Sequence, residues 1–446
     1  MTQDSVRRVT RLAVGMCAFG AALALPRVAV AQAPGAPTFT KDVAPIFQEK
    51  CEACHRPDSI APMSLVTWQE TRPWARAIRA RVADHTMPPW DIDRTVGVQK
   101  FKNDRSLSDA EADTILRWVD AGAPQGDPSD MPSARTWPED QGWNFAALFG
   151  QQEPDLIINS HSFTMPAQSQ DAWDKRVTPS GITEPRWVRA IEIRPKTVKG
   201  RKITHHAIAY LEQDDPDAPP GGGLPTPFME WAVGKQGELM RADTGKLLLP
   251  GSKFHWDIHY SQAGEEITSQ VEMGIYFYPK GQEPKFRTTL TLAPAALGTM
   301  DIRPNTVSMA EGFTVLREAA RIESFQPHMH LRGKAMMVEA ILPTGQRQVV
   351  SLVSNFNFNW MTTYVYADDA APLFPKGTML KVTAWHDNTA AKKTNPDPNQ
   401  WVGWGDRTVD EMGHAWINIV YMKDEDFKAE QEKRRGGQTQ TQPPQQ

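Results

Sequence analysis

The sequence predicts a multidomain chain in which a small all-α segment precedes two tandem antiparallel β-sandwiches. Length is the first ground: 446 residues leave room for about three domains. The second is periodicity, which is helical only in the first part of the chain and alternates with period two beyond residue 139. The third is punctuation. Glycine and proline interrupt the alternating runs at short intervals, as antiparallel sandwiches require and βαβ units do not.

Residues 1–31 read as an export signal. Arg7, Arg8 and Arg11 form a positive start, LAVGMCAFGAALAL is the apolar core, and AVA ahead of Gln32 fits a small-residue cleavage site. A periplasmic or secreted mature protein follows. The apolar core is short for a membrane span and no later segment approaches one.

Residues 38–125 hold three helical stretches. KDVAPIFQEKCEACH can form a short first helix. RPWARAIRARVADH sets Trp74, Ile78 and Val82 on one face, with Pro73 suited to a first turn. LSDAEADTILRWVDAGAP opens on a Ser108/Glu111 capping box, carries an Ile115, Leu116 and Val119 stripe, and stops at Gly122 and Pro124. Residues 126–138, rich in Pro, Asp and Ser, read as a linker. The two sandwiches take residues 139–300 and 301–428, with period-two runs such as ITHHAIAYLEQ, SKFHWDIHYS, SQVEMGIYFYP, TMLKVTAWHDN and HAWINIVYM. The polar, Gln- and Pro-rich tail over 429–446 predicts disorder.

A formal net charge of −4 makes neither nucleic acid nor an anionic membrane an expected partner. Cysteine use says more. With Cys17 in the signal, Cys51 and Cys54 are the only thiols of the mature chain, so no disulfide framework supports it. Both lie in CEACH, and C-x-x-C-H reads as a c-type heme attachment site: two thiols for the porphyrin and His55 for the iron. A redox dithiol leaves the adjacent histidine unexplained, and half a zinc site lacks a second cysteine pair. Three helices around one heme are the minimum of a small cytochrome c, which residues 38–125 resemble. Met87, in TMPPW, fits the sixth iron ligand; His85 is the alternative and would lower the potential, while Met63 sits too close to His55 to reach the far face.

Most of the histidines fall in the β region. His328 and His330, in QPHMHLRGK, are two apart on a strand and therefore share a face. Two imidazoles side by side suit a metal, although exposed pairs without that duty are common. His205 and His206 are adjacent, and one metal could use both only at a bulge or strand end. His255 and His259 lie in HWDIHYS. His161 and His386 read as exposed or supporting residues.

THHAIAYL, GSKFHWDIHYS, HMHLRGK and DRTVDEMGHAWINIVYM occur here in the order seen in the copper type II, ascorbate-dependent monooxygenases, and residues 150–425 resemble that family. The resemblance implies two jelly-roll-like copper domains and two copper ions. His205, His206 and His259 would hold the first; His328, His330 and Met412 would hold the second and carry the oxygen chemistry, whereas His255 matches no family ligand. Imidazole serves both oxidation states of copper, so an all-histidine site suits electron supply. A thioether favours Cu(I), so the His₂Met site suits O₂ activation.

The implied activity is hydroxylation of an aliphatic C–H bond of a small organic substrate by O₂. The fused heme would pass on electrons received from an ascorbate-like reductant or a redox protein. Two departures bear on the substrate. The family's carboxylate-gripping arginine, two residues before the H-x-H pair, is Gln326 here, and a family tyrosine four residues after the methionine is Trp416. A peptide ending in glycine is therefore not the expected substrate, and His414 is a candidate lining residue. The competing readings are a heme- and copper-binding electron carrier without hydroxylase activity and a His₃ zinc hydrolase. Met412 argues against zinc.

Overall fold

A computed structural model of the chain describes residues 35–439, apart from 58, 60, 138–141, 219–224, 233 and 297; the expected export signal lies outside these. No helix among the described residues is long and apolar enough to cross a membrane.

The helical segment is built on its own apolar cluster. A π-helical turn, Phe39–Val43, leads into helix Ala44–Lys50; helix Ala75–Ala83 and helix Asp109–Asp120 complete it. Phe39, Phe47, Ile78, Val82, Ile115 and Trp118 pack together. The expected Ser108/Glu111 capping box is present. Two expected apolar positions differ. Trp74 is exposed and Ala75 takes its place against the core, because residues 72–74 form a 3₁₀ turn that rotates the face. In the last helix the buried stripe is Ile115 and Trp118, with Leu116 and Val119 only partly covered. The segment expected to be a linker packs back on these helices: Ser133 accepts from Gln48 Nε2 at 3.0 Å, and Arg56 and Arg135 flank the Trp137 ring.

The rest of the chain is a β-sandwich body. One path of strands runs Leu156–Asn159, Val271–Phe277, Arg186–Pro195, Thr244–Leu248, Phe286–Pro294, Gly413–Met422, Ala319–Met329 and Tyr364–Val365. A sheet of Ala172–Asp174, Lys253–Tyr260, Thr204–Glu212 and Thr226–Ala232 covers its first half. A sheet of Val307–Val315, Met379–Asp387, Gly333–Ile341 and Arg347–Val353 covers its second. Each half buries its own apolar cluster, at roughly 1.5–3 kcal/mol for each large side chain withdrawn from water. The halves meet in the path at one parallel pairing, Phe286 with Thr244 and Arg287 with Gly245. The strand Phe286–Pro294 precedes the break expected near residue 300, yet it pairs along its length with Gly413–Met422.

The tail also departs from expectation. Residues 429–439, expected to be disordered, continue a helix, Asp424–Thr439. Its acidic first turn complements the helix dipole, Phe427 is buried, and Arg434 donates to the Ala371 carbonyl at 2.6 Å. Composition alone could not reveal that anchoring.

Candidate metal centre

The first histidine cluster is made by a bulge. Strands Lys253–Tyr260 and Thr204–Glu212 are antiparallel, with His259 opposite His206 and Tyr260 opposite Thr204. His205 is therefore the extra, unpaired residue, which lets neighbouring histidines face one side. One ligand atom from each of His205, His206 and His259 lies within 4.8 Å of the others. Nδ1 of His205 and Nδ1 of His206 stand 3.3 Å apart.

His259 is oriented from behind. Its ring stacks on Trp173 at 4.7 Å, and its Nε2 lies 3.2 Å from Asp171 Oδ2, which leaves Nδ1 for the cluster. The His259 contact, with Thr408 Oγ1 donating at 2.6 Å, holds the Asp171 carboxyl low, at about 2. A carboxylate behind a histidine fixes its tautomer and ring orientation, the usual support for a metal ligand. His255 stays apart, paired with Glu212 at 2.5 Å.

The second group forms on strand Ala319–Met329 and just beyond it. His328 and His330 share a face, as expected, with ring centroids 5.6 Å apart. His328 pairs across the ladder with His414, and their rings stack at 4.5 Å. Met412 directly precedes Gly413, the partner of Met329 at the end of this ladder. A buried network holds this corner. Glu411 accepts from the backbone N–H of His330 at 2.9 Å and of Arg332 at 2.5 Å. Nε2 of His386 lies 3.0 Å from the Met412 carbonyl. Burial pushes the Glu411 carboxyl up to about 8.

The two groups adjoin. His206 and His328 have ring centroids 5.8 Å apart, and Phe358 stacks on His205 at 4.8 Å while lying 6.2 Å from His330. Burial, reinforced by the neighbouring rings, lowers His205 and His330 to about 4 and His206 and His328 well below the usual histidine range. Such histidines are neutral at pH 7 and keep a lone pair for a cation. Nδ1 of His328 and both ring nitrogens of His414 are buried without a protein partner. The three imidazoles of the first group therefore fit a soft-to-borderline metal.

Cys51, Cys54 and His55 follow helix Ala44–Lys50, all partly buried. Burial pushes the Cys51 thiol up to about 12. Nδ1 of His55 lies 3.2 Å from the Met63 carbonyl, which leaves Nε2 as its free ligand atom. Met87 and His85 sit on the loop after helix Ala75–Ala83; Met87 is partly buried and His85 exposed, with φ 57°.

Sequence reasoning missed Asp171, Phe358 and Glu411. Asp171 and Phe358 come from distant segments with no pattern of their own, whereas Glu411 stands beside Met412 and was visible. His161 is exposed and His386 buried in support of Met412.

Compared with known proteins, the chain matches no family model and no curated protein. Among solved structures, the major capsid protein P2 from bacteriophage PM2 has 9% identity over 59% of this chain and 97% of that one, with a TM-score of 0.25. The infectious bursal disease virus VP2 subviral particle has 10% identity over 64% of this chain and 78% of that one, with a TM-score of 0.18.

Proposed function

We propose that this chain is an exported heme- and copper-dependent monooxygenase that hydroxylates a small organic substrate with O₂. The observation that carries the reading is the meeting of two groups of histidines, one from each half, with His206 and His328 5.8 Å apart. Bound copper would supply one-electron transfer at His205, His206 and His259 and O₂ activation at His328, His330 and Met412; covalent heme at Cys51, Cys54 and His55 would supply electrons. On this reading residues 38–125 are a cytochrome c domain with Met87 as the sixth ligand, and two copper domains follow.

The protein's own contribution is placement. Asp171 and Trp173 fix the His259 ring, and the Met63 carbonyl fixes that of His55. Glu411 ties the backbone of His330 and Arg332 to the Met412 segment. Trp416 Nε1 and the His414 ring nitrogens are buried without protein partners on the face that His328 shares, and would offer a neutral polar lining for the substrate.

Three measurements test the reading. Heme should stay with denatured protein through acid-acetone extraction. Two copper ions should bind per chain, with His259→Ala and Met412→Leu each perturbing a different one. Met412→His should retain copper yet lose product formation by orders of magnitude, while heme reduction continues. Extractable heme, or a single copper, rejects the reading. Reduced, metallated wild type that shows no substrate-stimulated oxygen uptake leaves the electron carrier in its place.

A further inference from the structure

The segment after Met87 is not a free tether. Residues 90–103 lie along the second half of the body, far from it in sequence. Backbone N–H groups of Asp93 and Val98 donate to the carbonyls of Leu352 and Val350 at 2.7 and 2.9 Å, and that of Lys102 donates to Val365 at 2.8 Å. Ile92 bridges to Val353 and Phe101 to Tyr366. Asn103 Nδ2 donates to the Thr363 carbonyl at 2.7 Å and its Oδ1 accepts from Val365 N at 3.1 Å. At Gly97, φ is 73° and a Cβ would stand 2.5 Å from the Val350 carbonyl oxygen, so only glycine allows the strap to lie this close.

Trp90 and Ile92 are buried in the second half's own core. The Trp90 ring meets Tyr364 edge-on at 4.7 Å, and Tyr364 stacks on Phe325 at 6.1 Å. The hydroxyl of Tyr364 accepts from Asp91 N at 3.2 Å. Phe325 stands three residues before His328 on the same strand with its ring in the apolar core, while the Thr363 hydroxyl donates to Gln326 Oε1 on the face that His328 shares. A run of three aromatic rings thus leads from Trp90, three residues past Met87, to the strand of His328, and the last step from Phe325 to His328 is that strand's own backbone.

We propose that Trp90, Tyr364 and Phe325 form the electron route from the helical segment into the body, and that electrons enter at His328 and His330 rather than at His205, His206 and His259. The inference rests on the heme and copper reading above. Each passage moves one electron: ferrous heme becomes ferric, and a cupric ion at the His328 group becomes cuprous. No bond forms or breaks, no proton is transferred, and the three rings end unchanged. Their π orbitals shorten the saturated gaps that the electron must cross. They are positioning residues for transfer and touch no substrate.

The test uses full-length protein carrying heme and copper, with heme reduced and copper oxidised, mixed without oxygen or substrate. Heme absorbance reports oxidation, and freeze-quenched electron paramagnetic resonance reports which cupric signal disappears. Trp90→Leu and Phe325→Leu should each slow heme oxidation about tenfold or more, equivalent to at least ~1.4 kcal/mol of barrier. Tyr364→Phe, which keeps the ring, and Asn103→Ala, which loosens the strap away from the rings, should stay near the wild-type rate. Equal rates in all four variants overturn the route, as does equal slowing by Asn103→Ala, which would mark simple docking. The wild type alone tests the entry point, which is overturned if the cupric signal that His259→Ala abolishes is the first to disappear. Wild type without covalent heme or copper fails at loading, and removes the underlying reading together with the route.

Discussion

The two histidine groups solve the same problem by different means. His205, His206 and His259 are brought together by a backbone irregularity, and a carboxylate behind one ring completes the arrangement. His328 and His330 stand at and just past the end of a strand with no bulge between them; their support comes from a buried network that fixes the next turn of chain. The first group depends on local side-chain contacts. The second depends on the fold of a whole corner, so the same kind of damage should cost it more.

Acid is the broadest way to challenge the comparison, because it treats both groups alike. In metal-free protein, His205, His330 and His386 are lowered to about 4 and His414 to about 3, by burial first. Unfolded histidines titrate near ~6.5, so the unfolded chain holds more protons between these values and stability rises with pH across that window. Glu411, raised to about 8, takes up its proton in the folded state and offsets part of this. Acidification from pH 7 to 5 should therefore lower the unfolding free energy by on the order of 5 kcal/mol, read from denaturant midpoints of chelator-treated protein. A flat profile would mean that these histidines are not neutral in the folded state.

Next in size is Glu411→Ala. It strands two buried backbone donors at roughly 1–3 kcal/mol each, so stability should fall by about 2–6 kcal/mol. Copper binding at His328 and His330 should fail while the first group keeps its metal, as separate cupric signals would reveal. Loss of both together would erase the distinction between the two groups.

Asp171→Asn should act in the opposite place and more gently. Removal of the charge behind His259 should weaken copper at the first group by about 10–100-fold in a competition titration, with the second unchanged. The smallest effect belongs to His255→Ala. Its pair with Glu212 is screened by solvent, so the denaturant midpoint should hardly move and both copper ions should remain. Loss of a copper there would mean that the wrong histidine of HWDIHYS has been assigned.

Much of this molecule was legible in the sequence because its signals are local. Strand alternation places His328 and His330 together wherever that strand goes, and Ser108 with Glu111 caps a helix without outside help. The need for a bulge at His205 and His206 followed from strand geometry alone. Tertiary structure decided the rest. Only the pairing of Ala172–Asp174 with Lys253–Tyr260 brings Asp171 behind His259, and only the packing of the two halves sets His206 against His328. The strap over residues 90–103 carries no periodic signal, since its partners lie about 250 residues away and its hydrogen bonds run through backbone groups that every residue possesses. A sequence records the side chains available for contact; which distant backbones meet is fixed when the apolar faces of separate segments are buried together.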